Sequence, residues 1–206
     1  MDIVQEFPCA SQIGKIMLDG VHDIIGQAGI NAISNLPKTP HSPGLIPANL
    51  EKISFREIST IQGVLEAMYG RQGGQGIALR AGRASSSMIY RKFGQRMGLN
   101  NLDFRLLPTQ TRIKAGLEAL AKTVSDLCCE PFLMAEDGEA WIWRVHTCPV
   151  CWQRQCEGPV CYFIVGLLQE FVSTISGGKI YNIAESECLA NGAESCTFRI
   201  DKQALE

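Results

Sequence analysis

The sequence predicts an α+β fold in which N-terminal helices precede an antiparallel sheet with a packed helix, in the order β-β-α-β-β. Two observations lead to this class. Apolar residues recur with helical spacing through much of the first 125 residues. From about Asp126, short alternating segments bounded by turn residues replace that spacing, and alternation is typical of strands. Helices followed by a run of strands favour an α+β domain.

The predicted helices of the first part cover residues 8–30, 55–70, 77–99 and 109–124. Glycines within residues 70–76 separate the second helix from the third. Small side chains at residues 81–87 give the third helix a face that we expect to pack closely against a neighbour. Thr109 or Thr111 is a suitable N-cap for the fourth helix.

Residues 35–48 contain four prolines, which predicts an extended arm after the first helix. We therefore expect two parts. Residues 1–50 form an N-terminal helix with a proline-rich arm, and residues 51–206 form the main domain.

The second part of the chain contains four predicted strands and one helix. The strands cover residues 127–134, 140–146, 179–184 and 195–200, and the helix covers residues 159–173. Asp137-Gly138 is a hairpin signal between the first two strands. Trp141 and Trp143 are two residues apart, so both indoles should lie on one face of the second strand. Gly177-Gly178 should end the helix.

Composition limits the function classes. The net charge is −2 and no block of like charge stands out, so nucleic acid is not a favoured partner. No apolar run of about 18 residues predicts a spanning helix, and the acidic N-terminus does not resemble a secretory signal. We expect a cytoplasmic protein. Among nine cysteines, six lie between Cys148 and Cys196, which favours metal binding over a disulfide framework.

Glu185, Cys188 and Cys196 have the spacing of metal ligands. Asn191-Gly192 favours a tight turn that would bring the two cysteines together on neighbouring strands. One more soft ligand completes a tetrahedral zinc site, and Cys161 is the evident donor. The predicted site is structural and redox-silent.

Cys148, Cys151 and Cys156 form a second cysteine group. It is compatible with a second metal or iron–sulfur site, with a redox pair, or with simple packing. Extended to Cys161, the group has a spacing that does not match the usual ferredoxin patterns.

Arg80 and Arg83 are candidate contacts for an anionic group of a ligand, although a solvated helix end is also compatible with them. Trp141, Trp143 and Phe163 could line an apolar pocket for a flat molecule or belong to the core. The sequence contains no evident Ser-His-Asp set, paired-carboxylate motif or nucleotide fingerprint, so no catalytic residue is predicted.

Several motifs of the C-terminal half belong together: Gly158–Leu168, Glu185-x-x-Cys188, Gly192 and Cys196-x-Phe198. They resemble the 4-vinyl reductase domain, a small-molecule-binding family, and the run Leu79–Arg83 resembles the start of its first conserved helix. The resemblance implies an α+β fold similar to haem-NO-binding domains, and often a homodimer. It also implies a ligand pocket between the helical part and the sheet.

In related aromatic-sensing domains, zinc is bound by Cys, Glu, Cys and Cys in this order. Matched residue by residue, the resemblance implies the ligands Cys161, Glu185, Cys188 and Cys196 here.

The leading functional prediction is a non-enzymatic binding domain for an apolar planar molecule. The resemblance implies a tetrapyrrole or bilin as the favoured ligand, with a role in tetrapyrrole metabolism or photosystem assembly. In that context we expect a cytoplasmic protein that is either free or peripheral to a photosynthetic membrane. One alternative is a tetrapyrrole vinyl reductase that uses an iron–sulfur or redox cysteine site. Another is a ligand-free assembly factor that contacts a protein partner through its N-terminal region.

Overall fold

The computed structural model describes residues 10–34 and 54–205. The predicted arm and the domain boundary at residue 50 lie outside the described residues. The helices are α1 (Ala10–Ser34), α2 (Phe55–Phe93), α3 (Leu102–Leu106), α4 (Thr109–Cys128) and α5 (Tyr162–Ser176). The strands are β1 (Phe132–Glu136), β2 (Ala140–Val145), β3 (Tyr181–Glu187) and β4 (Cys196–Ala204). This order confirms the predicted α+β class.

Two of the long helices are kinked at glycines. Gly26 (φ 67°, ψ 178°) interrupts α1, and Gly70 (φ 73°, ψ 162°) interrupts α2. Glycine takes these left-handed values without steric cost. The two helices predicted at 55–70 and 77–99 are therefore the two halves of α2, and the second half begins directly after Gly70.

The small-residue face of α2 packs closely against its neighbours, as the sequence predicts. A Cβ atom on Gly82 would lie 2.0 Å from the carbonyl oxygen of Phe163 in α5. A Cβ atom on Gly166 would lie 2.0 Å from the carbonyl oxygen of Leu79. On the α1 side, a Cβ atom on Gly20 would lie 2.6 Å from the carbonyl oxygen of Ala81. These glycines let three helices approach backbone to backbone.

The four strands form one antiparallel sheet in the order β1-β2-β4-β3. Trp141 and Trp143 are both buried, as expected for two indoles on one face. Trp143 pairs across the sheet with Met134 on one side and Phe198 on the other. Since β4 lies between β2 and β3, residues distant in sequence meet at one end of the sheet.

Three local predictions need correction. The strand predicted at 127–134 begins only at Phe132, because α4 continues to Cys128 and ends on the left-handed Cys129 (φ 53°). The N-cap of α4 is Pro108, with extended ψ, and Thr109 is already helical. The short helix α3 carried no sequence signal that we recognised. Among the described helices, none is long and apolar enough to cross a membrane.

Candidate metal centre and apolar cavity

Five cysteine side chains meet at one end of the sheet. Cys148 and Cys151 lie in the segment between β2 and α5, residues 146–160, which we call the cysteine loop. Cys161 is the N-cap of α5, Cys188 follows β3, and Cys196 begins β4. All five are free thiols and are between 0 and 2% exposed.

The structure brings together the four side chains predicted as zinc ligands. Their ligand atoms all lie within 4.8 Å of one another. The Sγ atoms of Cys161, Cys188 and Cys196 form a triangle with edges of 4.0, 3.8 and 3.9 Å. A Zn–S bond of about 2.3 Å gives a tetrahedral S–S edge of about 3.8 Å. The triangle therefore has the dimensions of one face of a zinc tetrahedron.

A local turn sets the two later cysteines side by side. Leu189–Asn191 form one turn of 3₁₀ helix, and Gly192 (φ 82°) closes it in the left-handed region. The turn is held by the backbone N–H of Ala193, which donates to the carbonyl of Cys188. The N–H of Leu189 donates to the Sγ of Cys196 at 3.4 Å. Such an N–H···S bond stabilises a thiolate.

The two carboxylate oxygens of Glu185 differ in their hydrogen bonding. Its Oε2 accepts a hydrogen bond of 2.8 Å from the backbone N–H of Cys161. Its Oε1 is buried and has no hydrogen-bond partner. Burial raises the pKa of Glu185, and the hydrogen bond from Cys161 opposes that rise. A bound cation would satisfy the second oxygen, so the donor set fits zinc.

The second cysteine group differs from the prediction. Cys148 and Cys151 join Cys161 and Cys196, and the four Sγ atoms lie within 4.8 Å of one another. Cys148 is 3.6 Å from Cys161, and Cys151 is 3.4 Å from Cys196. Cys156 belongs to neither group, because its backbone N–H pairs with Ala190 and its half-buried side chain lies outside the cluster. The structure therefore groups Cys148 and Cys151 with Cys161 and Cys196, whereas the predicted second group had joined them to Cys156.

Burial and crowding shift the acidity of several thiols in the cluster. Burial raises the pKa of Cys148 and of Cys161. Hydrogen bonds from neighbouring thiols, Cys148 first, lower the pKa of Cys151. Metal binding would displace the remaining protons, so the affinity for a metal should rise with pH.

The cysteine loop is anchored on α2. Ser59 Oγ donates to the carbonyl of Trp152 at 2.9 Å, and Arg154 Nη2 forms an ion pair of 2.7 Å with Glu66. Burial alone would lower the pKa of Arg154. The pKa is nevertheless raised overall, mainly by Glu66 and more weakly by Cys156 and Cys161. Its Nη1 is buried without a hydrogen-bond partner. A fixed cation therefore lies beside the cysteine cluster.

An apolar cavity lies between α1, α4, α5 and the sheet. Trp143 and Phe163, both predicted ligand contacts, line it. The other lining residues are Ile13, Met17, Val124, Cys128, Phe132, Pro149, Val150, Ile164 and Leu167. The cavity volume is about 20 Å³. Its wall includes Pro149-Val150, the two residues between Cys148 and Cys151, so the cavity adjoins the cysteine cluster.

The other predicted ligand contacts lie elsewhere. Trp141 is buried, and its ring centroid lies 6.5 Å from that of Tyr181. Trp141 does not line the cavity. Arg80 and Arg83 are exposed, and Arg83 Nη2 donates to Gln169 Oε1 at 2.7 Å. The structure therefore brings together two of the five predicted contacts and leaves the arginines outside the cavity.

The V4R domain family model matches residues 141–202. Residues 141–202 form a V4R domain. It contains both cysteine groups, Glu185 and Trp143, and it covers the C-terminal part of the main domain predicted at 51–206. No curated protein matches the chain.

Solved structures of H-NOX proteins share the fold of the whole chain. The Fe(II) unliganded H-NOX protein from K. algicida is 13% identical, with a TM-score of 0.61, and the match covers 95% of this chain and 96% of that one. The H-NOX protein from S. oneidensis in the Fe(II)NO ligation state is 13% identical, with a TM-score of 0.56 and coverage of 93% and 99%. The fold therefore extends through the helices that precede the V4R domain.

One cleft, lined mostly by residues that precede the V4R match, was not foreseen from the sequence. It has a volume of about 600 Å³ and is lined by parts of α2, α3, α4 and the end of α5. Arg105 and Arg112 line it, and Arg112 Nη1 donates to the carbonyl of Arg105 at 2.9 Å. The two arginines are seven residues apart, and only the turn between α3 and α4 brings them to one cleft.

Proposed function

We propose that the chain is a small-molecule-binding module for an apolar planar ligand. We also propose that a structural zinc centre stabilises the wall of the binding cavity that the sheet and the cysteine loop form. The observation that carries this proposal is the cavity itself, which is walled by apolar side chains from both the helical part and the V4R domain. Its position between two structural layers and its apolar lining are features that it shares with small-molecule sites.

Trp143 is the residue that would orient the ligand. Its ring is packed between Phe132, at a centroid distance of 4.9 Å, and Phe198, at 6.4 Å. Its Nε1 is buried and has no hydrogen-bond partner. A buried N–H without an acceptor is costly, and a ligand with one acceptor atom would remove that cost. We therefore expect an apolar body that carries a single acceptor group near Trp143.

The cavity must widen before it can hold a ligand. About 20 Å³ is room for roughly one water molecule, whereas drug-sized ligands need roughly 300 Å³ or more. Ile13 and Met17 of α1 form one wall. Methionine side chains adapt readily to new shapes, so α1 is the wall that we expect to move.

The donor atoms of the cavity favour a ligand held by apolar contact over an iron-bound one. One of the similar solved structures concerns haem distortion in the H-NOX family. Among the lining residues here, only Met17 and Cys128 carry sulfur, and neither histidine nor tyrosine is present. Burial raises the pKa of Cys128 to about 12, so its thiol is protonated at neutral pH. Among the described lining residues, Met17 is therefore the one side chain that could act as an axial ligand, and a metal-free tetrapyrrole or a bilin would need none.

Binding to a panel of planar compounds tests this proposal. Phenol, naphthol, biliverdin and protoporphyrin IX are titrated against the purified protein, with tryptophan fluorescence and Tm as readouts. We expect at least one compound to raise Tm and quench fluorescence with saturation. Trp143→Phe should weaken that binding about tenfold, while the equally buried Trp141→Phe should not. If no compound shifts Tm, or if both variants weaken binding equally, the assignment of this cavity is wrong.

The panel also separates the candidate roles. Saturable binding of biliverdin or protoporphyrin IX supports a role in tetrapyrrole metabolism or photosystem assembly, whereas binding of phenol or naphthol alone points to a smaller aromatic ligand.

The homodimer and a protein partner of the N-terminal region are part of the same proposal. Light scattering of the protein eluting from a sizing column measures the first, since a mass of one chain excludes the homodimer.

The reductase alternative needs a redox centre at the same cysteines. An iron–sulfur cluster interposes sulfide ions between its iron atoms, which spreads the cysteine sulfurs apart. The Sγ–Sγ separations of 3.4–4.0 Å in the structure are instead close to those of sulfurs that share one metal ion. We therefore favour the binding module over the reductase.

A further inference from the structure

The two groups of potential metal ligands overlap in two sulfurs. One group consists of Cys161, Glu185, Cys188 and Cys196, and the other of Cys148, Cys151, Cys161 and Cys196. Each group has four donor atoms within 4.8 Å of one another, which is the number that a tetrahedral ion needs. The six residues can therefore be described as two tetrahedra that share the edge between Cys161 and Cys196.

The distances along this shared edge fit that description. The Sγ atoms of Cys161 and Cys196 are 3.8 Å apart, close to the edge expected for a zinc tetrahedron. On one side of the edge Cys188 lies 4.0 and 3.9 Å from the two shared sulfurs. On the other side Cys148 lies 3.6 Å from Cys161, and Cys151 lies 3.4 Å from Cys196.

Charge is compatible with two ions. Five thiolates and one carboxylate carry a formal charge of −6, and all six groups lie in a largely buried site. Two divalent ions leave a charge of −2. A single divalent ion leaves the same −2 only if two of the thiols stay protonated, and the geometry of the two overlapping donor groups is what favours the second ion.

We propose that the cluster holds two zinc ions bridged by the thiolates of Cys161 and Cys196. Glu185 and Cys188 complete the first ion, and Cys148 and Cys151 complete the second. This inference rests on the proposed structural zinc centre and adds the second ion to it. Since Pro149-Val150 lies between the ligands of the second ion and also lines the cavity, that ion would fix part of the cavity wall.

Metal stoichiometry tests the proposal. Protein is stripped of metal under reductant and without oxygen, reloaded with zinc, desalted and measured by native mass spectrometry and elemental analysis. We expect two zinc ions per chain in the wild type and one in the double variant Cys148→Ser/Cys151→Ser. The control Cys156→Ser should keep two, because Cys156 lies outside both groups. One ion in the wild type overturns the second site but leaves the proposed structural zinc centre intact, and no ion overturns both.

Cobalt titration of the wild-type protein tests the bridge without any variant. The first equivalent of Co²⁺ should give the strong electron paramagnetic resonance signal of an isolated tetrahedral ion. The second should diminish that signal, because bridging thiolates couple the two spins. A signal that doubles at two equivalents would show two separate ions and overturn the shared edge. Saturation after one equivalent would overturn the second ion.

Discussion

Glu185 links the cysteine cluster to the start of α5. One carboxylate oxygen accepts a hydrogen bond from the backbone N–H of Cys161, and the other is buried with no hydrogen-bond partner among the described residues. A ligand that also positions the backbone of a second ligand fixes the geometry of both. Gly192 has a left-handed backbone conformation, which allows the turn between Cys188 and Cys196. This turn places the Sγ atoms of the two cysteines 3.9 Å apart.

Glu185→Gln should weaken zinc binding at least tenfold. The amide oxygen can still accept from Cys161, but the variant loses the negative charge of the ligand. Competition with a chromogenic zinc chelator measures the affinity. Glu187→Gln is the matched control, since its carboxylate lies two residues away and accepts instead from Thr197 Oγ1 at 2.7 Å. Equal affinities for the two variants would remove Glu185 from the ligand set.

The contact between α2 and α5 depends on two glycines, Gly82 and Gly166, placed where each helix meets a backbone carbonyl of the other. This contact joins the helical part to the V4R domain, so it positions the cavity wall formed by Phe163, Ile164 and Leu167. Close packing of this kind tolerates no added methyl group without a backbone shift.

Gly166→Ala should destabilise the protein by about 1–3 kcal/mol, because its Cβ would lie 2.0 Å from the carbonyl oxygen of Leu79. The control is Gly76→Ala in the exposed part of α2, where a Cβ meets no atom within 4 Å. There, alanine should stabilise the helix by about 0.5–1 kcal/mol. Urea unfolding measures both changes. A stability of Gly166→Ala equal to or above that of the wild type would contradict the helix contact.

The β1–β2 hairpin is closed by Asp137. Its carboxylate accepts from the backbone N–H groups of Glu139 and Ala140 at 2.8 and 2.7 Å, and from Arg199 at 2.8 Å. The two backbone donors first, and then Arg199, lower the pKa of Asp137 to about 2. The ionised form is therefore favoured by folding, and its contribution to stability is present above pH about 3.8 and is lost as pH falls towards 2.

Asp137→Asn should remove this pH dependence. Tm of the wild type should fall more steeply than Tm of the variant between pH 4 and pH 2, while the two should differ by a constant amount above pH 5. Thermal melts across that range provide the measurement. Glu139→Gln removes a carboxylate from the same turn and should retain the wild-type slope. Parallel curves for the wild type and Asp137→Asn would refute the role of the carboxylate.

At the scale of the whole molecule, the cysteine cluster joins the cysteine loop, the start of α5, the end of β3 and the start of β4. The same cysteine loop is tied to α2 by Ser59 and Arg154 and contributes Pro149-Val150 to the cavity wall. The cysteine cluster, the helix packing and the cavity shape therefore depend on one another, and if the cluster holds the proposed metal, its loss should affect the stability of the whole domain.

Removal of zinc should lower Tm by about 8–16 °C. A ligand present at about 1,000-fold above its Kd contributes about 4 kcal/mol, and each kcal/mol corresponds to about 2–4 °C in a chain of this size. Differential scanning fluorimetry with a zinc chelator measures the shift, and added zinc should restore Tm. An unchanged Tm, with metal loss verified by elemental analysis, would contradict a structural role for zinc.

The sequence by itself determined the fold class and the positions of most elements, because periodicity, turn dipeptides and glycine breaks act over a few residues. It also indicated that Glu185, Cys188 and Cys196 lie together, since one short turn connects them. Tertiary structure decided that Cys148 and Cys151 join this cluster while Cys156 does not. It also decided that Trp143 lines the cavity while Trp141 does not. Both outcomes depend on the strand order β1-β2-β4-β3 and on helix packing. These features are set by contacts between segments that are distant in sequence, and a pattern within a few residues does not reveal them.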